Sequence, residues 1–174
     1  MCEYKIKLAV AKDGKHNYSF EVKDKFFEIF DYSLVEKADI IAKIQVEKNG
    51  NKFILNISIE GEIHGLNCDL CADPLTVPIR AETTFIIKEC IKQLESTDDI
   101  IYIQPKQSEL EIKHLIYELI ILALPVKRRH KSDASGNIKC NKKTLALVNQ
   151  YSKKEYVSDP IWDALKKIKI EKTE

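Results

Sequence analysis

The chain has 174 residues with 28 Lys/Arg against 27 Asp/Glu, so its length suits one domain with a real core and its net charge of +1 excludes a uniformly basic or acidic class. Five glycines, five prolines and no internal repeat or low-complexity tract exclude a solenoid, a collagen-like chain or a largely disordered one. No stretch approaches the ~20 apolar residues of a membrane span and Met1 to Lys15 holds no apolar signal core, so a cytosolic address without a membrane is expected.

The charge is unevenly spread. Residues 1–126 carry 15 Lys/Arg against 21 Asp/Glu, while residues 127–174 carry 13 against 6. Five cysteines in such a chain point to reduced thiols or a metal site rather than a disulfide framework.

In chain order, Tyr4, Ile6, Leu8 and Val10 alternate with polar or small residues, and after Asp13-Gly14 so do Tyr18, Phe20 and Val22. This predicts an N-terminal β-hairpin. Apolar positions 26, 27 and 30 behind Asp24 as N-cap predict a short helix over 24–32. Asn49-Gly50 between two alternating runs then predicts a tight hairpin, pairing Val46 with Phe53, Ile44 with Leu55, Ala42 with Ile57 and Ile40 with Ile59 on one face, and Glu47 with Lys52 on the other.

The second arm of that hairpin runs on to Cys68-Asp69-Leu70-Cys71. A further alternating run from Leu75 to about Lys88 follows, in which Pro78 marks an edge or a bulge. Ile100 to Ile103 supply one more short strand. From Glu109 to Leu124 the period changes to that of a helix with Glu111, His114 and Glu118 as its polar stripe, ended by Pro125. Thr144 to Val148 form a short helical or extended piece. Pro160 at N1 begins a terminal helix with Ile161, Trp162, Leu165 and Ile168 on one face.

The expected fold is therefore α+β: a predominantly antiparallel, partly barrel-like β-sheet covered by one main helix, with short N-terminal and C-terminal helices. Residues 1–174 form a single domain in this reading, with 127–158 a basic, partly flexible loop region and 159–170 the C-terminal helix.

Two features carry chemistry. A Cys-x-x-Cys in a tight loop between strands is half of a zinc knuckle, because two thiolates from one turn take two corners of a tetrahedron and another pair must complete it. His130 and Cys140 in the basic loop are candidates for that pair, with His64 and Cys90 as alternatives nearer in sequence. The other feature is Lys127, Arg128, Arg129, Lys131, Lys139, Lys142 and Lys143, opposed in 127–143 only by Asp133, which can neutralise several phosphates of a nucleic acid or form a solvated loop. A thiol-redox role is the remaining reading of Cys-x-x-Cys, but Pro74 and a strand follow it rather than a helix. No Ser/His/Asp triad, phosphate-cradling glycine loop or nucleotide fingerprint is present, and an enzyme is not expected.

Cys68-Asp69-Leu70-Cys71-Ala72-Asp73-Pro74 at the start of a long strand, Glu118 to Pro125, then His130 and Cys140, and finally Asp159-Pro160-Ile161-Trp162-Asp163-Ala164-Leu165 occur in an order and spacing that resembles the YceD family. That family consists of bacterial large ribosomal RNA subunit accumulation proteins with relatives in plant chloroplasts. Members often carry Arg where this chain has Leu70 and Ile161. The resemblance covers roughly residues 60–168. It implies a non-enzymatic factor in the accumulation or processing of large-subunit ribosomal RNA during ribosome assembly, with ribosomal RNA, a pre-ribosomal particle or a large-subunit ribosomal protein as partner. One structural zinc is the cofactor expected from the residues. The alternative is a zinc-knuckle adaptor that binds protein without touching RNA.

Overall fold

Alternating apolar and polar residues become strands wherever one side can be buried. The computed structural model describes residues 4–8, 13–50, 52–90, 97, 99–105, 107–131 and 139–152. Its strands are β1 (Lys5–Lys7), β2 (Gly14–Val22), β3 (Lys37–Asn49), β4 (Lys52–Asn67), β5 (Pro74–Glu89), β6 (Ile100–Ile103) and β7 (Glu109–Glu111). Its helices are α1 (Asp24–Phe27), α2 (Lys113–Leu122) and α3 (Lys142–Ser152). Five strands form a sheet in the order β2-β3-β4-β5-β6, and β1 and β7 make a separate two-stranded ribbon.

This architecture corrects the expected fold in three respects. The sheet is mixed, because β6 joins β5 in parallel, with Ile86 opposite Ile100 and Glu89 opposite Ile103. It is also open, since β2 and β6 are its outer strands and no barrel closes among the described residues. Alternation and β-branched content identify a strand but give neither its direction nor its neighbour.

Nor does one main helix cover an antiparallel sheet. The helix expected over 109–124 is reduced to α2, about 15 Å long. Glu109-Leu110-Glu111 fits a period of two as well as one of 3.6, and Leu110 pairs with Ile6 of β1 as a strand residue. Cover of the sheet's inner face is shared instead. Ile6, Leu8 and Leu110 of the ribbon segment, Phe26 and Phe27 of α1, and Ile112, Ile116, Leu119 and Ile120 in and before α2 enter one core with the strands.

The N-terminal hairpin is absent for the same reason. β1 pairs with β7, and β2 pairs antiparallel with β3 along its whole length, from Gly14 opposite Lys48 to Val22 opposite Ile40. The short helix over 24–32 ends after Phe27, and Asp24 does not cap it: its Oδ1 accepts the Ala38 backbone N–H at 3.1 Å.

The central hairpin forms where Asn49-Gly50 places it, but its register lies two residues from the expected pairing. Asn49 faces Lys52, so Val46 meets Leu55, Ile44 meets Ile57, Ala42 meets Ile59 and Ile40 meets Gly61. Glu47 meets Ile54 and Lys43 meets Ser58. A shift of two keeps every apolar side chain on the same face, which is why the pattern alone could not distinguish the two registers. Gly50, at φ 60°, supplies the left-handed residue that the turn needs.

Ile40, Ala42, Ile44 and Val46 of β3 lie with Leu55, Ile57, Ile59 and Ile63 of β4 in the buried face. Each fully buried Ile or Leu contributes about 1.5–3 kcal/mol of transfer free energy. The opposite face is polar, with Gln45 donating to Asn17 at 3.0 Å and Thr84 to Asn56 at 2.8 Å. Pro78 on β5 faces Glu62, and beyond Ile86–Glu89 that strand has no partner on its β6 side among the described residues. Its missing N–H therefore interrupts no ladder there. No helix among the described residues is long and apolar enough to cross a membrane. The helix expected over 159–170, with Trp162, lies outside the described residues, and the segment expected as a basic loop over 127–158 carries α3.

At Gly61 a Cβ would fall on the Asp39 carbonyl oxygen and press against the Ile40 backbone. Backbone cannot yield as a flexible side chain does. Gly61→Ala is expected to cost about 1–3 kcal/mol, read as a lowered midpoint in thermal or urea unfolding.

Candidate metal centre

β4 and β5 are the two longest strands, and the chain crosses between them through residues 68–73. The Cys68 N–H donates to the Asp73 carbonyl at 3.0 Å, and the Ala72 N–H donates to the Cys68 carbonyl at 2.9 Å. Ala72 adopts φ 59°, a conformation that residues with a Cβ seldom take. The resulting knuckle turns both thiols inward, and Cys68 and Cys71 are each 3% exposed.

Asp69, between the cysteines, holds the next piece. Its backbone N–H donates to the Arg128 carbonyl at 2.8 Å, its Oδ2 accepts the Arg128 N–H at 2.6 Å, and its Oδ1 lies 3.6 Å from the Arg128 guanidinium. These contacts clip the chain after α2 onto the knuckle. His130 then arrives two residues later. Cys140 enters just before α3, where the Asn141 side chain accepts the Lys143 N–H at 3.0 Å as an N-cap, and Leu145 of that helix packs with Leu70 and Leu75 around the three cysteines.

Sulfur and nitrogen atoms of the four side chains converge. Cys68 Sγ lies 3.7 Å from Cys140 Sγ, and His130 Nδ1 lies 3.5 Å from both Cys71 Sγ and Cys140 Sγ. All four potential ligand atoms fall within 4.8 Å of one another. A tetrahedral cation bound to thiolate at ~2.3 Å and imidazole at ~2.0 Å requires edges of about 3.8 Å between sulfurs and about 3.5 Å between sulfur and nitrogen. The residues present fit such an ion. Four protein ligands would also close its coordination shell, the arrangement of a structural rather than a catalytic site.

Charge at the site is divided. Burial pushes the Cys68 thiol up, but amide hydrogen bonds from Leu70, Cys71 and His130, together with the Cys71 side chain, outweigh it and hold Cys68 down at about 6. Burial, then hydrogen bonding to Cys71 and Cys68 and the negative charge of those neighbours, together raise Cys140 to about 11. Neighbouring thiolates repel one another, so a cation between them would favour the ionised ligand form.

The alternative ligands lie elsewhere. His64 Nδ1 is 3.2 Å from Thr76 Oγ1, with its Nε2 3.8 Å from Asp39, and Cys90 is half-buried at the end of β5. Cys2 lies outside the described residues. No helix begins at Cys71, since β5 follows the knuckle.

Of the basic residues, Lys127, Arg129, Lys131, Lys139, Lys142 and Lys143 are exposed. Arg128 is half-buried against Asp69, so one of the seven is committed to holding the segment in place. Asp69 itself was not singled out by the sequence. Its signal was a lone carboxylate inside the Cys-x-x-Cys, a type common in turns and hence uninformative without Arg128 beside it.

Asp69→Ala removes a charged acceptor from the Arg128 N–H. Because the carboxylate is about one-third exposed, the expected cost is about 1 kcal/mol rather than the larger loss of a buried charged hydrogen bond. Hydrogen exchange should quicken first at the Arg128 amide.

Searches of curated proteins and of solved structures find no match. The family model described as large ribosomal RNA subunit accumulation protein YceD matches residues 55–169, a stretch that contains the knuckle, His130, Cys140 and the basic segment, and the chain belongs to that family.

Proposed function

We propose that this protein is a non-enzymatic, cytosolic factor in the accumulation and processing of large-subunit ribosomal RNA, in which one structural zinc holds an RNA-contacting surface in shape. The observation that carries this reading is the convergence of Cys68, Cys71, His130 and Cys140. Thiolate and imidazole ligands in a tetrahedral set suit zinc. Bound there, zinc would supply folding free energy to a segment, residues 127–143, whose sequence is mostly polar and charged.

The same convergence gathers the positive charge. Lys127, Arg129 and Lys131 flank His130, while Lys139, Lys142 and Lys143 flank Cys140, so joining the two ligands brings both short basic stretches to one end of the sheet. Phosphate contacts of this kind position a nucleic acid but read no sequence. Selectivity would come from folded RNA shape or from a protein partner.

A protein-binding adaptor is the second reading, favoured by α3. No side chain of that helix is buried, and Leu147, Val148 and Tyr151 are exposed. Association with ribosomal particles that survives nuclease treatment would support the adaptor over direct RNA binding.

Metal analysis of the purified protein is expected to find about one zinc per chain, lost in Cys68→Ser and His130→Ala. Acidification should release it, because protons compete for thiolate and imidazole as pH falls. A full zinc content in both variants would refute the assignment.

Replacing Lys127, Arg129 and Lys131 by Glu tests the RNA surface. Removing three phosphate contacts should make the salt slope of log K shallower by about 2 for single-stranded RNA. Retention and slope unchanged in that variant would exclude this surface.

A further inference from the structure

The segment between α1 and β3 presents an apolar, acidic surface that neither the metal cluster nor the basic segment uses. Its order is local. Ser33 Oγ donates to the Val35 carbonyl at 2.8 Å and accepts the Val35 N–H at 3.3 Å, and Val35 is fully buried. Phe30 stacks on Tyr117 of α2 with ring centroids 4.0 Å apart and planes 11° from parallel.

From this anchored segment Tyr32 projects into solvent. It is 101% exposed and has φ 62°, an uncommon conformation for a bulky residue. Leu34 and Ile29 of the same stretch of chain are also exposed, at 68% and 47%. A loop held in place at both ends thus maintains a strained residue whose ring buries nothing in the protein.

A cleft of ≈ 460 Å³ opens here, lined by Phe27, Phe30 and Tyr32, by the carboxylates Asp24, Glu28 and Glu36, and by the single cation Lys37. Asp24 is partly engaged by the Ala38 N–H, whereas Glu28 and Glu36 take part in none of the ion pairs formed among the described residues. With Asp31, residues 24–37 hold four carboxylates against Lys25 and Lys37.

We infer that this cleft docks a basic segment of a partner protein, taking a Lys or Arg side chain against the exposed Tyr32 ring and the Glu28 and Glu36 carboxylates while an apolar neighbour of that side chain covers Leu34. Aromatic faces and carboxylates attract the same cation. The carboxylates repel phosphate, so a nucleic acid or an anionic membrane is the disfavoured occupant. The inference is independent of the metal and RNA readings, because residues 24–37 supply no ligand to the cysteine cluster and no part of the basic surface.

The test uses the full chain and a short fluorescein-labelled peptide alternating Arg and Leu, with its Glu/Leu counterpart as control. Saturable binding of the Arg/Leu peptide alone is expected, weakened about tenfold or more in Tyr32→Gly and again in Glu28→Gln/Glu36→Gln. Glycine accepts φ 62°, so the first variant removes the ring and keeps the turn. All three substituted side chains are exposed, and unchanged thermal midpoints confirm that the fold persists. Charge reversal at Lys127, Arg129 and Lys131 should leave peptide binding unchanged.

Equal affinity for both peptides, or undiminished binding in both cleft variants, overturns the inference. Binding of oligouridylate that the cleft variants abolish assigns the surface to RNA and overturns it too. So does shielding of Tyr32 from hydroxyl-radical labelling in the protein alone, unaffected by added peptide, since the occupant would then be a second copy or this chain's own tail.

Discussion

Four potential soft ligand atoms meeting at the end of the β4–β5 hairpin are the constraint that ties the chain after α2 to the sheet. The knuckle offers two thiols, and each of the other two ligands comes from a different part of the chain after α2. Without a shared centre, few other contacts among the described residues hold those parts together. Arg128 is clipped by Asp69, and Leu145 is the one residue of α3 that packs on the cysteine cluster. A bound cation would join them with an energy comparable to the net stability of a whole domain.

The sheet carries this site without depending on it. Its core runs from Ile40 and Ala42 on β3 through Ile57 and Ile59 on β4 to Val77 and Ile79 on β5, and the cysteines form a separate small cluster beyond it. Were a cation bound there, its loss would release the basic segment before it disturbed the strands, in keeping with the lower stability of segments that bury few apolar contacts. Charge is partitioned along with the chemistry. Cations surround the knuckle ligands, while the segment after α1 is acidic and aromatic.

Much of this was legible in the sequence where a local rule applied. The Cys68 and Cys71 spacing, with His130 and Cys140 as partners, identified the four residues that converge, and alternation located the long strands. What failed was non-local. Tyr4 to Leu8 alternates well, yet nothing in it says that Ile6 pairs with Leu110 rather than with a residue of β2. The central hairpin kept its faces and lost its register because a slip of two is silent to alternation. Glu109 to Glu111 satisfied both periods, and the partner strand decided between them. Ile100 to Ile103 read as a strand, but no local pattern in it encodes a parallel pairing with β5.

X-ray absorption at the zinc edge of the purified, full-length protein measures the central claim most directly. The account predicts a shell of three sulfurs at ~2.3 Å and one nitrogen at ~2.0 Å, from Cys68, Cys71, Cys140 and His130. A shell dominated by oxygen, or a fully folded protein that carries no metal and keeps its basic segment ordered, would contradict it.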